Sequence, residues 1–319
     1  MDKTAIITGA AGFIGSHLVD KLVENQYYVL AIDNLATGTW DNLRQHTSAQ
    51  VRRLTWDITE TPDDDTLMIQ NADVVVHLAS AASPVHYRRL AIETLRVNSL
   101  GTETALQLAR KFQARFVLAS TSEVYGDPQV TPQSETYWGH VNPHGERACY
   151  DEGKRYAEAM TMEYHRQFDL DVRILRFFNC YGPRMQAEDG RVVPNFVRQA
   201  LLGRPLTVYG NGQQTRSFCY VSDEVEGIYQ AIVRRGLSGE VFNIGNPEER
   251  SILNFAEVVA QIAGVPLRTT FHPLPVDDPT NRCPNIDKAR KYLGWHPQIS
   301  LEDGLQKTFD YFRDPSPRN

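Results

Sequence analysis

Tyr150 and Lys154 stand four residues apart in a stretch with helical character, Cys149 to Phe168, and so share one helix face. A phenol with an unperturbed pKa of about 10 acts as a base near neutrality only beside a positive charge. Lys154 can supply that charge, and so can the ring of an oxidised nicotinamide. Such a pair also occurs on ordinary solvated helices, so its meaning depends on its company. Here it shares the chain with Ser120-Thr121-Ser122-Glu123 at the end of a predicted strand, and ligands of open α/β sheets bind at the carboxyl ends of strands. Hydroxyls there can orient a substrate hydroxyl or the phenol, and a carboxylate can move protons. The structural alternative for Ser122 and Glu123 is capping of the turn that follows.

A second constellation lies at the start of the chain. Gly9, Gly12 and Gly15 form G-x-x-G-x-x-G after the first predicted strand and at the mouth of the first helix, with Phe13 and Ile14 between the last two. Gly9 permits a tight turn, Gly12 lets backbone approach a pyrophosphate, and Gly15 allows close helix–strand packing. The helix start then offers N–H donors and a positive dipole end to phosphates. Asp33 follows at the end of the second strand, where it can accept hydrogen bonds from ribose hydroxyls and repel a 2′-phosphate, so NAD is favoured over NADP. The alternative is a glycine loop that only packs, with Asp33 as a cap. Asp57-Ile58, after the third strand, suits an adenine edge, or Asp57 is a turn residue.

These residues need a scaffold. The candidate strands Thr4–Thr8, Tyr28–Ile32, Val51–Thr55, Val74–Leu78, Arg115–Ser120 and Val172–Phe177 are apolar without strict alternation, as strands buried on both faces are. Helical stretches such as Ile14–Glu24 and Ile92–Lys111 separate them, which predicts an α/β fold: a Rossmann-type doubly wound parallel sheet with right-handed crossovers. The expected nucleotide domain is 1–180, with 215–245 returning to the sheet as helix Val221–Arg235 and strand Glu240–Ile244. Residues 181–214 and 246–319 read as a smaller C-terminal substrate-binding lobe. Loop chemistry around one helix is expected from Cys180 to Arg216, and Pro-rich loops at His272–Pro279.

The 319 residues carry 33 basic and 39 acidic side chains, a formal charge of −6, which sets aside a bulk nucleic-acid binder. Any anionic ligand must be gripped by a few placed arginines and backbone N–H groups. With 41% hydrophobic residues the chain can bury a substantial core. No apolar run reaches the length of a membrane span, and the opening TAIITGAAGFIG is too broken by glycine for a signal peptide. Cys149, Cys180, Cys219 and Cys283 show no C-x-x-C spacing, and the nine histidines show no zinc spacing. The expected compartment is the reducing cytosol.

The glycine loop, the hydroxyl run and Y-x-x-x-K together resemble the extended short-chain dehydrogenase/reductase superfamily of nucleotide-sugar enzymes, and within it the UDP-glucuronate decarboxylases. The resemblance runs from TGAAGFIGSHL to the helix near Arg313. Its most specific stretches are HLASAASPVHY, LASTSEVYGDP, YWGHVNP, ACYDEGKRYAEA, YGPRM, DGRVVPNF, PLTVYGNGQQTRSFCYV and NIGNPEE. A sugar 4,6-dehydratase would carry Asp-Glu where this chain has Ser122-Glu123, and a 4-epimerase of the UDP-galactose type would lack the glutamate. Two departures stand out: Cys283 and Asn285 replace Lys and Asp of R-K-P-D-I, and His144 and Glu146 replace the commoner residues of NP-x-G-x-R.

The resemblance implies a chemistry. Loss of CO₂ from C5 of a glucuronate leaves charge with no place to go unless C4 is first oxidised to a ketone. Tyr150 would take the C4 hydroxyl proton while NAD⁺ takes the hydride, Lys154 would lower the phenol pKa, and the hydride would return after reprotonation at C5. Ser122 would sit at the C4 hydroxyl, with Glu123 and Arg282 near the C5 carboxylate. Glu123 would manage proton or water movement, and Arg282 would anchor the carboxylate or else be a surface ion pair. Asn34, Leu78 and Ala79 would join the dinucleotide site. Asn179, Arg191 and Arg216 would hold the diphosphate, Pro84 and Tyr87 the sugar, and Tyr209 the uridine. A homodimer through the Tyr150-bearing helix is expected by the same likeness. Competing readings are escape of a UDP-4-keto-pentose, a UDP-sugar 4-epimerase, and a non-catalytic NAD-sensing protein.

Overall fold

The structure is a computed structural model, and it describes residues 3–62, 64–274 and 281–313. Twelve strands form among these residues: β1 (Lys3–Thr8), β2 (Tyr27–Asp33), β3 (Val51–Thr55), β4 (Val74–His77), β5 (Arg115–Thr121), β6 (Val172–Phe177), β7 (Asn179–Tyr181), β8 (Leu206–Tyr209), β9 (Thr215–Tyr220), β10 (Glu240–Ile244), β11 (Glu249–Ser251) and β12 (Thr269–His272). Seven make one parallel sheet in the order β10-β6-β5-β4-β1-β2-β3. Its inner strands are nearly all apolar and buried, because helices cover both faces. From β1 the chain winds outward through β2 and β3, then crosses back to β4 on the other side. The strand order therefore reverses between β1 and β4, and that reversal opens a crevice at their carboxyl ends.

The expected strands match to within a residue or two. The stretch Ile92–Lys111 is helical throughout, as expected, but it is not a uniform α-helix. It divides into Ala91–Arg96, a π turn at Val97–Gly101, and Thr102–Phe112. The π turn coincides with Asn98, whose amide donates to the Thr94 carbonyl at 2.8 Å and to the Ser80 hydroxyl of another segment at 3.0 Å, inserting a polar side chain into the helical ladder.

The region from Cys180 to Arg216 holds more structure than loops around one helix. Besides the helix Val192–Leu201 it contributes β8 and most of β7. β9 lies between β7, its parallel neighbour, and β11, its antiparallel one, while β8 pairs with β12. Strands of three or four residues leave no periodic signal, and the partner of β8 comes some sixty residues later. Asp223 ties the two parts of the chain together. Its side chain accepts from Gln298 and Ile299 N–H at 3.0 and 2.9 Å, and its carbonyl accepts from the Trp295 indole at 2.7 Å. Most of the loop His272–Pro279 lies outside the described residues, as do 314–319.

Candidate active site

The crevice at the reversal point is shaped by missing side chains. Gly9 has φ +70°, and a Cβ there would lie 2.8 Å from the Ala79 nitrogen; one on Gly15 would lie 2.1 Å from the Gly9 carbonyl oxygen. Only glycine lets the loop, the helix Phe13–Glu24 and the end of β4 meet this closely. That helix begins at Gly12 with no side-chain cap among the described residues, which leaves its first-turn N–H groups to a ligand. Asp33 braces the loop: its carboxylate accepts the Ala11 N–H at 2.9 Å and the Leu35 N–H at 2.8 Å. Burial raises its pKa, and those two hydrogen bonds oppose the rise. Asn34 donates to Asp57 at 2.9 Å, and Asp57 accepts the Thr59 N–H and hydroxyl at 2.9 and 2.8 Å. Of the two readings of Asp57, its bonds are those of a turn residue, although it also faces the crevice.

The crevice has a volume of about 1470 Å³. The glycine loop with Phe13 and Ile14 lines it, as do Asp33, Asn34, Asp57 and Ile58, the pair Leu78 and Ala79, and Tyr150 with Lys154. An open cradle of close backbone approaches, a helix start and an acid at the end of β2 fit a dinucleotide. No group of three His, Cys, Asp or Glu side chains is placed to hold a metal among the described residues.

Tyr150 and Lys154 are buried on the helix Ala148–Phe168, which packs along β5. The Lys154 ammonium donates to the Ala119 carbonyl at 2.9 Å, and burial lowers its pKa to about 7 against the pull of Glu158. Burial raises the Tyr150 phenol well above its ordinary value, while a hydrogen bond with Thr121 and the charge of Arg191 draw it back. The Tyr150 ring stacks on Tyr87, with centroids 5.2 Å apart and planes 8° apart. Thr121 closes β5 and also caps the turn Ser122–Tyr125 by accepting the Glu123 N–H at 3.2 Å. The hydroxyl that meets the phenol is thus Thr121, a residue not singled out among the candidates, whereas Ser122 was expected at the substrate C4 hydroxyl. Ser122 is buried in the turn, and Ser120 is engaged by Glu158 at 2.6 Å. Three adjacent hydroxyls left the choice to the geometry.

Beside this pair lies a buried charge cluster. Glu123 Oε2 accepts from Arg147 Nη2 at 2.6 Å and from Arg282 Nη2 at 2.7 Å, and Oε1 pairs with Arg282 Nη1 at 2.6 Å. Burial favours the protonated acid, yet the Arg282 and Arg147 guanidiniums hold it down to about 2. Glu123 is therefore a fully engaged anion. Both of its oxygens are held by guanidiniums, so any proton or water movement at Glu123 would begin from this paired anion. The alternative of Arg282 as a surface ion pair also fails: the pair is buried.

Arg282 is placed by backbone bonds. Gln133 N–H donates to the Cys283 carbonyl at 2.8 Å, Cys283 N–H to the Gln133 side chain at 2.9 Å, and Asn285 N–H to the Gln133 carbonyl at 2.8 Å. The side chains add to this loop: the Cys283 thiol donates to the Pro247 carbonyl at 3.3 Å and the Asn285 side chain accepts the Asp287 N–H at 2.9 Å. Sequence reasoning missed Arg147 and its neighbour Asp151, whose carboxylate lies 3.9 Å from Arg147 Nε. The signal was present: 147, 150, 151 and 154 follow helical spacing, a polar stripe on one face. Burial and the Glu123 charge push Asp151 up to about 7.

The remaining candidates spread outward. Arg191 precedes the helix Val192–Leu201, donates from Nε to Asp189 at 2.7 Å, and lines the crevice. Pro84 opens the helix Pro84–Arg89, whose Tyr87 is buried. Asn179 begins β7, half-buried. Arg216 is buried in β9 with one donor on the Thr215 carbonyl at 2.8 Å, and Tyr209 ends β8, exposed beside His272. Ser122, Glu123, Arg282, Pro84, Tyr87, Asn179, Tyr209 and Arg216 lie outside the crevice lining.

A glycine-cradled crevice that ends on a buried tyrosine–lysine pair defines a dinucleotide-dependent enzyme that moves a proton at a substrate hydroxyl. The chain belongs to the NAD dependent epimerase/dehydratase family, whose model matches residues 5–245. It is 49% identical over 98% of its length to UDP-glucuronic acid decarboxylase 1 of Xenopus tropicalis, covering 72% of that protein. Against UDP-glucuronic acid decarboxylase 1 of Arabidopsis thaliana the identity is 48% over 97% of this chain and 69% of that one. Among solved structures, UDP-glucuronic acid 4-epimerase of Bacillus cereus, in complex with UDP-glucuronic acid and NAD, superposes with a TM-score of 0.86 at 31% identity. That match covers 97% of this chain and 98% of the other.

Proposed function

We propose that the protein converts UDP-glucuronate into UDP-xylose and CO₂. The observation that carries this reading is the buried cluster of Arg147, Arg282 and Glu123 beside Tyr150. Two guanidiniums converge there beside the phenol, which supports a sugar that brings a carboxylate. The neutral sugars of ordinary 4-epimerases have nothing to offer them. Similarity at 48–49% to decarboxylases, against 31% to the glucuronate epimerase, supports the same choice.

In this reading Tyr150 accepts the proton of the C4 hydroxyl, and Thr121 orients that exchange by its bond to the phenol. Lys154 supplies the nearby positive charge in its ammonium form. A bound NAD would supply a reversible hydride acceptor for C4, held by the glycine loop and the start of the helix Phe13–Glu24. A ketone at C4 gives the electrons of the breaking C5–C6 bond a place to settle, and Tyr150 and Thr121 would serve the C4 oxygen as proton carrier and donor. The glycine loop, the start of the helix Phe13–Glu24 and Asp33 would hold the dinucleotide, with Asp33 disfavouring a 2′-phosphate. Arg191, Arg216 and Asn179 would grip the diphosphate, Pro84 and Tyr87 the sugar, and Tyr209 the uridine.

The proposed division is a nucleotide domain of 1–180 with 215–245, and a lobe of 181–214 with 246–319; β10 returning beside β6 supports it. No helix among the described residues is long and apolar enough to cross a membrane. The four cysteines are unpaired thiols, which supports a reducing cytosol. Exposed Leu95, Leu100 and Tyr156, on packed helical segments, support a homodimer.

Purified protein incubated with UDP-glucuronate should release CO₂ and accumulate UDP-xylose without net NADH. Interconversion of UDP-glucose and UDP-galactose, with no CO₂ from the acid, would establish the epimerase instead. CO₂ accompanied by stoichiometric NADH would mark escape of a UDP-4-keto-pentose.

A further inference from the structure

The cluster around Glu123 is not complete in itself. Three of its buried atoms find no hydrogen-bond partner among the described residues: Asp151 Oδ1, the Tyr87 hydroxyl and Arg282 Nε. Asp151 faces Arg147 on its own helix, Glu123 on the turn after β5, Arg282 on the loop stitched to Gln133, and Tyr87 on the helix Pro84–Arg89. Glu152, Tyr150 and Cys149 adjoin it on its own helix. The charges can be counted. Arg147 and Arg282 against Glu123 leave +1, and an ionised Asp151 brings the sum to zero. A substrate carboxylate brought against these four side chains from the neighbouring Tyr150 also brings their sum to zero, but only if Asp151 is neutral. Both anions together would leave an uncompensated negative charge in a buried site, which low polarity penalises heavily.

We propose that Asp151 is the internal counter-ion that the substrate carboxylate displaces, so that UDP-glucuronate binds together with one proton taken up by Asp151. This rests on the reading of the substrate as UDP-glucuronate. Asp151 acts here as a positioning residue, through the charge that Arg147 and Arg282 present. Its environment is suited to the exchange, since burial and Glu123 already hold the acid at about 7, where a further nearby anion protonates it at little cost. The loaded complex then carries the one proton that the net conversion consumes, R–COO⁻ + H⁺ → R–H + CO₂. The same exchange selects against neutral sugars, which leave Asp151 to close the pocket by itself.

The test is calorimetric titration of the NAD-loaded Tyr150→Phe protein, chosen because its slowed turnover lets binding be read alone, in buffers of differing ionisation enthalpy at about pH 7.5. UDP-glucuronate should bind with uptake of between about half and one proton per site. UDP-glucose, the same nucleotide without the carboxylate, should bind with none. Affinity for UDP-glucuronate should weaken by up to about tenfold per pH unit above neutrality. Adding Asp151→Asn should abolish both the proton uptake and the pH dependence. Binding of UDP-glucuronate without proton uptake overturns the proposal, and that arm needs no change at Asp151. Equal uptake with UDP-glucose, or undiminished uptake in the Asp151→Asn protein, assigns the proton elsewhere and overturns it too. The overall function stands or falls separately, on CO₂ release by the unaltered protein.

Discussion

Replacing Glu123 by glutamine keeps the shape of the side chain and removes its charge from between two guanidiniums. A carboxyl held at about 2 instead of its ordinary 4.5 contributes about 3 kcal/mol to the folded state, in order of magnitude. Because the folded value lies below the unfolded one, that contribution is complete above about pH 4.5 and is lost as the pH falls through about 2. At neutral pH the whole of it is at stake. Breaking a buried ion pair from one side typically costs about 3–5 kcal/mol, since the partner charge stays behind. Here two guanidiniums stay behind, but Asp151 is released from the repulsion of Glu123 and ionises more readily beside Arg147. We therefore expect the lower end, about 3 kcal/mol. With roughly 2.1 cal/mol/K of unfolding entropy per residue over this chain, the melting temperature should fall by about 4–5 °C at pH 7. Adding Arg282→Met to Glu123→Gln restores the balance of one guanidinium and one aspartate, so the double variant should be more stable than the sum of the single losses predicts. Thermal melts of the four proteins of this cycle decide the matter. A Glu123→Gln melting temperature within about 1 °C of the parent would refute the argument that this cluster is held by charge.

Lys154→Met should separate stability from activity. Lys154 is held at about 7 in the folded chain against an ordinary 10.5, so the unfolded chain binds more protons between those values and stability rises with pH across that window. Below about pH 7 the cost of the buried ammonium is fully present, and methionine should gain about 2 kcal/mol there, an advantage that fades towards pH 10.5, while turnover falls at least about 100-fold. Gly15→Ala puts a methyl 2.1 Å from the Gly9 carbonyl oxygen, so the protein should purify without dinucleotide, as absorbance of the released cofactor would show. Tyr150→Phe should retain the dinucleotide and lose about 100- to 10,000-fold in turnover, with Thr121→Val losing less and Ser122→Ala least in the same assay.

The nucleotide half of the molecule was legible because several independent signals coincide there. A glycine triplet, a strand before it, a helix after it and an acid at the end of the next strand each constrain the same backbone. The lobe was legible only as a change of texture, since β7, β8, β11 and β12 are too short to show a period and pair across long stretches of chain. The π turn after Arg96 was hidden for another reason. It coincides with Asn98 reaching Ser80, a contact between segments that no local pattern encodes.

The charge cluster shows where reading by residue type stops and geometry begins. Arginine before a helix and aspartate within it are ordinary surface residues, and nothing in their identity says that they face inward. What decides it is that Arg147, Tyr150, Asp151 and Lys154 occupy successive turns of one helix face, all buried. Arg147 and Tyr150 are three residues apart, about 4.5 Å along the axis at a rise of about 1.5 Å, so one rigid element fixes the distance between the grip on a carboxylate and the group that takes a hydroxyl proton. In a pyranuronate these two groups sit on neighbouring ring carbons. A loop could hold the same side chains, but their spacing would drift, and oxidation at C4 would not reliably place the bond to the carboxyl group beside its electron sink.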